Sequence, residues 1–427
     1  MDDLPIEMNS LWDVAAPAWD DQRLDGPVEA DLAVIGAGIT GLAAALRAAE
    51  LGKSVVVVDA ARPGWGASGR NGGQVIPGLK LDPDEIVDRF GAETGERLTQ
   101  FAGGAADRVF ELVEKYQIEC DAHRGGWIRP AHNDTGLRAL DDHCAQWRAR
   151  GGAVEMLDRA ALGEALGTSW YLGGSLDRRA GALHPLKYTL GLARAARGLG
   201  ARIYSATRVT AFERRGDRFV LATNTGSVTA DRVVMGTNGY ADPAYGAVAR
   251  SVVPVASFQI ATEPLPADLR ATIMPGHVCA SDTKRLLIYF RLDAEGRFMV
   301  GGRGTMLEVG IERRFALLRA RAVRLFPALE PLAWPYRWGG LVAITTDHLP
   351  HVHEPTPGLM MALGYNGRGV AMASQMGGAV GEYAMNGDAR ALPLPRTPIK
   401  PIPFQRLHRV GSELMFAWYG LLDRLGI

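Results

Sequence analysis

Residues 32–59 read LAVIGAGITGLAAALRAAELGKSVVVVD. An apolar run closes on Gly36-x-Gly38-x-x-Gly41, a helix of small residues follows, and a second apolar run stops at Asp59. Strand, glycine turn, helix and strand in this order form a dinucleotide-binding unit. Gly36 makes the tight turn. Gly38 has no Cβ, so a pyrophosphate reaches the backbone, and Gly41 lets the helix lie close on the strand. The helix start at Ile39 and Thr40 offers free N–H groups and a positive dipole end to the phosphates. Asp59 stands 18 residues after Gly41, followed by Ala60, where the second strand delivers a carboxylate to both ribose hydroxyls. That carboxylate repels a 2′-phosphate and disfavours an NADP-type ligand. The spacing alone does not choose between NAD and FAD.

The rest of the composition narrows the class. At 427 residues the chain is long enough for two domains or one elaborate one. Lys+Arg and Asp+Glu are both 47, and a net charge of zero gives no electrostatic footprint for nucleic acid. Cys120, Cys144 and Cys279 are scattered, without a C-x-x-C, and suit a reducing cytoplasm rather than a disulfide framework or a zinc site. The histidines of DHLPHVHEP, His348, His351 and His353, lie in a proline-broken segment without cysteine, so no metal is expected. The acidic N-terminus has no apolar core of a signal peptide. The apolar stretch 32–49 is broken by glycines, so no transmembrane segment is expected.

The patterning predicts an α/β chain, α+β overall: a Rossmann-like nucleotide domain with an inserted antiparallel-sheet substrate domain. Residues 1–28 form an N-terminal arm with Trp12 and Trp19. Residues 29–95, 151–244 and 336–390 make the nucleotide domain. Within it, ARPGWGASGRNGGQVIPGLK (61–80) is a glycine-rich loop made for close approach. Residues 96–150 and 245–335 make the substrate domain, whose runs SVVPVASFQIATEPL, RLLIYFRLD and RFMVGGRG alternate as strands do. Tyr289 and Arg291, two apart, share one strand face and are candidate substrate contacts. Trp127 reads as packing at a domain junction. In the tail, 391–427, Leu407, Val410, Leu414, Trp418, Leu421 and Leu425 fall at helical spacing and predict a helix docked on the body. The alternative is a peripheral membrane or partner helix anchored by Phe416, Trp418 and Tyr419.

Four separated segments then point one way: Gly36–Gly41, GASGRNGGQ (66–74), GTNGY (236–240) and GYNGRGV (364–370). Together they resemble the FAD-dependent amine and amino-acid oxidases of the D-amino-acid oxidase/glycine oxidase/sarcosine oxidase superfamily, over about residues 10–390. ASGRNGGQVIPGLKLDPDE looks most like the γ-glutamylputrescine oxidase group. The resemblance implies that Gly36, Gly38 and Gly41 flank the FAD pyrophosphate and that Asp59 takes the adenosine ribose. It implies that Ala67, Ser68, Arg70, Asn71, Gly72, Gly73 and Gln74 run past the pyrophosphate, ribityl chain and isoalloxazine. Val209 would bind the adenine through its backbone, with Asn238 and Gly239 closing that side. Gly340, Gly367, Arg368, Gly369 and Val370 would meet the flavin. Arg368, at the start of a helix-like stretch, would stabilise the anion formed at the pyrimidine edge, and His351 would lie near the cofactor.

Two departures from sarcosine oxidase matter. The segment Gly339–Asp347 lacks the cysteine of covalent-flavin relatives, so FAD is expected to be non-covalent. The lysine that holds a small substrate carboxylate is replaced at the matching position by Ala371, which leaves room for a longer substrate. The expected reaction is oxidation of a C–N bond by hydride transfer to flavin N5. It gives an imine that hydrolyses to a carbonyl, and oxygen is the acceptor that yields hydrogen peroxide. A γ-glutamylputrescine-like amine is the leading substrate. The alternatives are a dehydrogenase acting on L-pipecolate or a D-amino acid and passing electrons to a quinone or carrier protein, and a flavoprotein subunit of a complex. Homo-oligomerisation and peripheral association through the C-terminal helix stay open.

Overall fold

A computed structural model describes residues 8–242, 245–304, 310–405 and 408–425. Its first sheet runs His351–Thr356, Leu359–Leu363, Gly226–Met235, Gly26–Ile35, Val55–Val58, Arg202–Tyr204. All neighbours in that path are parallel except the first pair. Its central strands are covered on both faces, so they read as unbroken apolar runs. Leu32, Val34, Val55 and Val57 pack under helices. Ala33, Ile35, Val56 and Val58 pack with Phe219, Leu221 and Val228. Phe219 and Leu221 come from an antiparallel ribbon, Val209–Arg215 and Arg218–Thr223, that branches off Gly226–Met235.

The second sheet has eight strands: Tyr336–Ile344, Val253–Pro264, Arg297–Gly304, Ile288–Leu292, Cys279–Ser281, Trp127–Ala131, Gly173–Asp177 and Val154–Leu157. All its pairings are antiparallel except Cys279–Ser281 with Trp127–Ala131. Strand alternation sorts it. Phe258, Ile260, Phe290 and Val300 pack against Phe315 and Leu318 of the helix Ile311–Leu325. Ser257, Gln259, Tyr289 and Arg303 stand on the opposite face and line a cleft.

Three boundaries differ from the sequence expectation. Val154–Leu157, Gly173–Asp177 and Tyr336–Ile344, expected in the nucleotide domain, all pair in the second sheet. Helices Ala92–Gly103 and Ala105–Lys115, placed with the substrate domain, bury Leu98, Ala102, Val109 and Leu112 in the nucleotide core. An apolar stripe announces a buried face but not the partner it is buried against. The tail departs as well. Its helix, His408–Leu425, docks through Phe416 and a Glu413–Arg314 ion pair of 3.3 Å. Of the predicted stripe, Val410, Leu414 and Trp418 are outward, 57%, 69% and 57% exposed. Leu407 and the side chains of Leu421 and Leu425 lie outside what the structure describes. Among the described residues no helix is long and apolar enough to cross a membrane.

Two helices, Ile39–Glu50 and Gly369–Asn386, fix the frame. They cross at glycine: a Cβ on Gly377 would lie 2.4 Å from the Thr40 carbonyl oxygen, and one on Gly381 would lie 2.5 Å from that of Ala44. The Thr40 hydroxyl and the Tyr365 hydroxyl meet at 2.9 Å beside the crossing. Gly381→Ala is therefore expected to destabilise by about 1–3 kcal/mol through overpacking. Gly378→Ala on the same helix meets nothing within 4 Å and should stabilise by up to about 1 kcal/mol through helix propensity. Chemical denaturation of both variants checks the contrast; equal effects would contradict close helix contact.

Candidate functional site

The cleft between the two sheets is continuous from Asp59 and Val209 at one end to Tyr289 and Arg303 at the other. Of the residues singled out in the sequence, it is lined by Gly36, Gly38, Ile39, Thr40, Asp59, Ala60, Ala67, Ser68, Arg70, Asn71, Gly72, Gln74, Val209, Asn238, Tyr289, Gly340, Gly367, Arg368, Gly369 and Val370. Gly41, Gly73, Gly239, Arg291 and His351 do not line it.

Both crossing helices start at this cleft, at Gly38 and Arg368, and neither of these residues makes a side-chain cap bond. Ser68 Oγ accepts the Ile39 N–H at 2.9 Å, and the N–H groups that follow it, with those that open the helix Gly369–Asn386, are placed for an anion or a carbonyl oxygen. Gly36 takes a positive φ of 102°. A Cβ on Gly41 would sit 2.0 Å from the Gly36 carbonyl oxygen, so Gly41 serves strand–helix contact from outside the cleft. Asp59 accepts the Ala37 and Ala61 N–H groups at 2.7 and 2.8 Å. These two bonds use half of its acceptor capacity and leave the rest for ribose hydroxyls. Burial raises its carboxyl pKa above the ordinary value. Asn238, at φ 47°, accepts the Gly364 N–H at 2.9 Å and so ties two of the glycine motifs together. Gly239 sits against Ala343 instead.

The loop Gly66–Gln74 is held by its carbonyls. Trp338 Nε1 and Gln259 Nε2 donate to Arg70 O at 3.0 and 2.6 Å. Trp12 Nε1 donates to Asn71 O at 2.9 Å. Arg291 Nε donates to Gly72 O at 2.8 Å and its Nη2 to Leu183 O at 2.7 Å. Gly73 lies against Leu183 O and Arg291, where a Cβ would be at 2.1 and 2.6 Å. Three consecutive carbonyls are thus pulled back by side chains from the arm and the second sheet.

This corrects the expectation for Arg291. It shares a strand face with Tyr289, but its guanidinium is buried and used on backbone carbonyls, with its charge over the Trp12 ring at 5.3 Å. The strand spacing gave the face, while the loop that covers that face was not visible to it. His351 is also outside the cleft, paired with Asp347 at 3.1 Å; the imidazole holds the Asp347 carboxyl down at about 2, against a desolvation cost that acts the other way. Tyr289 does reach the cleft. Its hydroxyl bonds Ser257 Oγ at 2.9 Å, and its ring lies where Cβ atoms on Gly72 and Gly301 would be.

Among the lining residues that the sequence reading did not assign to the site are Lys80, Trp127 and Arg303. Trp127 is more than junction packing. Arg368 projects across the cleft and sets its guanidinium 4.5 Å over the Trp127 ring, while Trp127 Nε1 donates to Ser281 Oγ at 2.9 Å. Burial and Arg129 push Arg368 down to about 9, which leaves it a cation at neutral pH. Arg303 stands opposite Ser257 in the strand register. A single lysine between the buried Leu79 and Leu81 was the sequence signal for Lys80.

FAD fits this chain on its own geometry. Two helix starts, a carboxylate at the second strand end and a glycine-lined floor share one cleft. No cysteine lines it; Cys120, Cys144 and Cys279 are buried and unpaired. Comparison with known proteins agrees. The model of the FAD dependent oxidoreductase family, DAO, matches residues 31–383. The chain is 33% identical over 411 residues to γ-glutamylputrescine oxidoreductase of Escherichia coli (strain K12), covering 95% of each. It is 34% identical over 367 residues to the probable oxidoreductase OrdL of Haemophilus influenzae, covering 84% of each. The crystal structure of glycine oxidase from Geobacillus kaustophilus superposes with a TM-score of 0.70 at 21% identity, covering 87% of this chain and 100% of that one.

The wall segment from Ser281 to Leu287 is closed by Asp282, which accepts the Lys284 and Ile288 N–H groups at 3.3 and 3.1 Å. Burial pushes its carboxyl from 3.8 up to about 6. The native state therefore holds a proton that the unfolded chain has lost between about pH 4 and pH 6. Stability from this group is full below pH 4 and falls as pH rises to 6, by about 3 kcal/mol at 1.36 kcal/mol per pH unit. Asp282→Asn removes this titration while keeping an oxygen acceptor. Denaturation of parent and variant at pH 4 and pH 7 should show a smaller loss in the variant; parallel losses would contradict the buried carboxyl.

Proposed function

The chain belongs to the FAD dependent oxidoreductase (DAO) family, and from that membership we propose that it oxidises a C–N bond of a γ-glutamylputrescine-like amine to an imine, with oxygen as acceptor. The observation that carries this reading is the composition of the second-sheet end of the cleft. There the lining offers Tyr289, Ser257, Gln259, Trp127 and cations, and no carboxylate, histidine or cysteine among the described residues. A neutral amine needs position and dry surroundings rather than a protein base. Bound FAD supplies the two-electron acceptor. The protein positions: the strapped loop Gly66–Gln74 gives a rigid floor, and the Tyr289 ring, locked by Ser257, gives a wall. The imine leaves for hydrolysis to a carbonyl. The likeness to the E. coli enzyme supports the substrate class, and the free buried cysteines support a reducing cytoplasm.

One observation favours a second reading. The outward row Val410, Leu414 and Trp418 suits a dehydrogenase that docks on an electron carrier. The purified yellow protein, mixed anaerobically with γ-glutamylputrescine, putrescine, sarcosine, L-pipecolate or D-alanine, separates the readings. γ-Glutamylputrescine should bleach the flavin band, and air should restore it with one hydrogen peroxide per turnover. Bleaching that air does not reverse favours the dehydrogenase. No bleaching by any amine overturns the proposal.

A further inference from the structure

The second-sheet end of the cleft gathers cations, and no carboxylate lines it among the described residues; Asp177 and Asp82 act on Arg368 from outside the lining. Lys80, Arg303 and Arg368 line this end. Among the described residues the carboxylates of the lining are Asp59 and Asp242, at the other end, where Asp242 pairs with Arg208 at 2.9 Å. Arg368 is buried, and its Nε and Nη1 have no hydrogen-bond partner. Lys80 and Arg303 make no ion pair among the described residues. The Lys80 side chain is wetted by the cleft but surrounded by protein; that burial, with Arg368, Arg303 and Arg129 near, pulls its ammonium well below the usual range. Unsatisfied buried guanidinium N–H groups and converging like charges are each destabilising. A fold keeps such a cluster where a ligand offsets it.

The three side chains come from different directions. Lys80 follows the glycine-rich loop, Arg303 projects from the second sheet, and Arg368 precedes the helix Gly369–Asn386. They share the cleft with Tyr289 and Trp127, close enough that Arg368 and Arg303 both act on the Lys80 ammonium. We propose that Lys80, Arg303 and Arg368 form a carboxylate-binding subsite for the end of the substrate remote from the oxidised C–N bond. This deepens the amine-oxidising reading and rests on it. It makes the enzyme selective for amines that carry a distant carboxylate. A free diamine, with two ammonium groups, meets three cations and is repelled. An acylated diamine whose acyl group ends in a carboxylate turns that repulsion into attraction.

The test uses the FAD-loaded full chain and two dead-end probes, glutarate and its uncharged counterpart glutaramide. Perturbation of the flavin absorbance reports binding. Glutarate should bind saturably in the parent, and at least about tenfold more tightly than glutaramide, as expected for charge-assisted bonds. Lys80→Met and Arg303→Met should each weaken glutarate by about tenfold or more, with FAD content and melting temperature retained, and Lys80→Arg should restore most of the affinity. The parent comparison needs no variant, so a variant that misfolds does not decide the matter. In turnover, the preference for γ-glutamylputrescine over N-acetylputrescine, which lacks the carboxylate, should collapse in both Met variants through KM with kcat largely kept. Equal binding of glutarate and glutaramide, or unchanged glutarate affinity in folded Met variants, overturns the subsite even if amines bleach the flavin. Glutarate binding lost in both variants, with no amine oxidised, keeps the subsite and removes the amine reading instead.

Discussion

The contact between the helices Ile39–Glu50 and Gly369–Asn386 is the constraint on which the rest depends. Gly377 and Gly381 let the second helix rest on the backbone of the first at Thr40 and Ala44. That spacing brings two helix N-termini into one cleft. Ser68 Oγ takes the Ile39 N–H of the first, and each end still presents a positive dipole and the N–H groups of its first turn. One lies beside the Gly36–Gly41 turn and Asp59, and the other follows Gly367 and Arg368. A long ligand with a pyrophosphate in its middle and electron-rich oxygens at one end satisfies both at once, which is the shape and chemistry of FAD.

The second constraint is the strapping of Gly66–Gln74. Trp338, Gln259, Trp12 and Arg291 take the carbonyls of Arg70, Asn71 and Gly72. Each bond contributes modestly on its own, about 0.5–1.5 kcal/mol. Together they fix the face of the loop turned to the cofactor. They also explain why the chain mixes its domains: the arm, the second sheet and the nucleotide core must all reach one loop. Arg291, a cation near a substrate wall, is consumed by this task, and the uncommitted charge stands instead on Lys80, Arg303 and Arg368.

The nucleotide unit was legible in the sequence because each of its parts obeys a local rule: glycine where the backbone must turn or approach, valine where a strand is covered twice, an acid at the strand end. The glycine motifs at 236–240 and 364–370 were legible on the same terms. The allocation of Val154–Leu157, Gly173–Asp177 and Tyr336–Ile344 was not, since strand pairing between separated segments leaves no local mark. The roles of Arg291 and Arg303 show the same limit. Both lie on cleft-facing positions of neighbouring strands, and only the covering loop decides which is structural. The resemblance put His351 near the cofactor, yet its imidazole is paired with Asp347, four residues before it in the chain. The tail helix was predicted, but its docking face was not, because one buried phenylalanine and one ion pair outweigh a row of outward apolar residues.

The cleft should hold one FAD per chain without a covalent bond. Precipitating the purified protein with acid, then separating and quantifying the nucleotide left in solution, tests this. A colourless pellet is expected, with FAD in the supernatant at one equivalent per chain. A pellet that stays yellow, or a supernatant holding FMN or a nicotinamide dinucleotide in place of FAD, would contradict it.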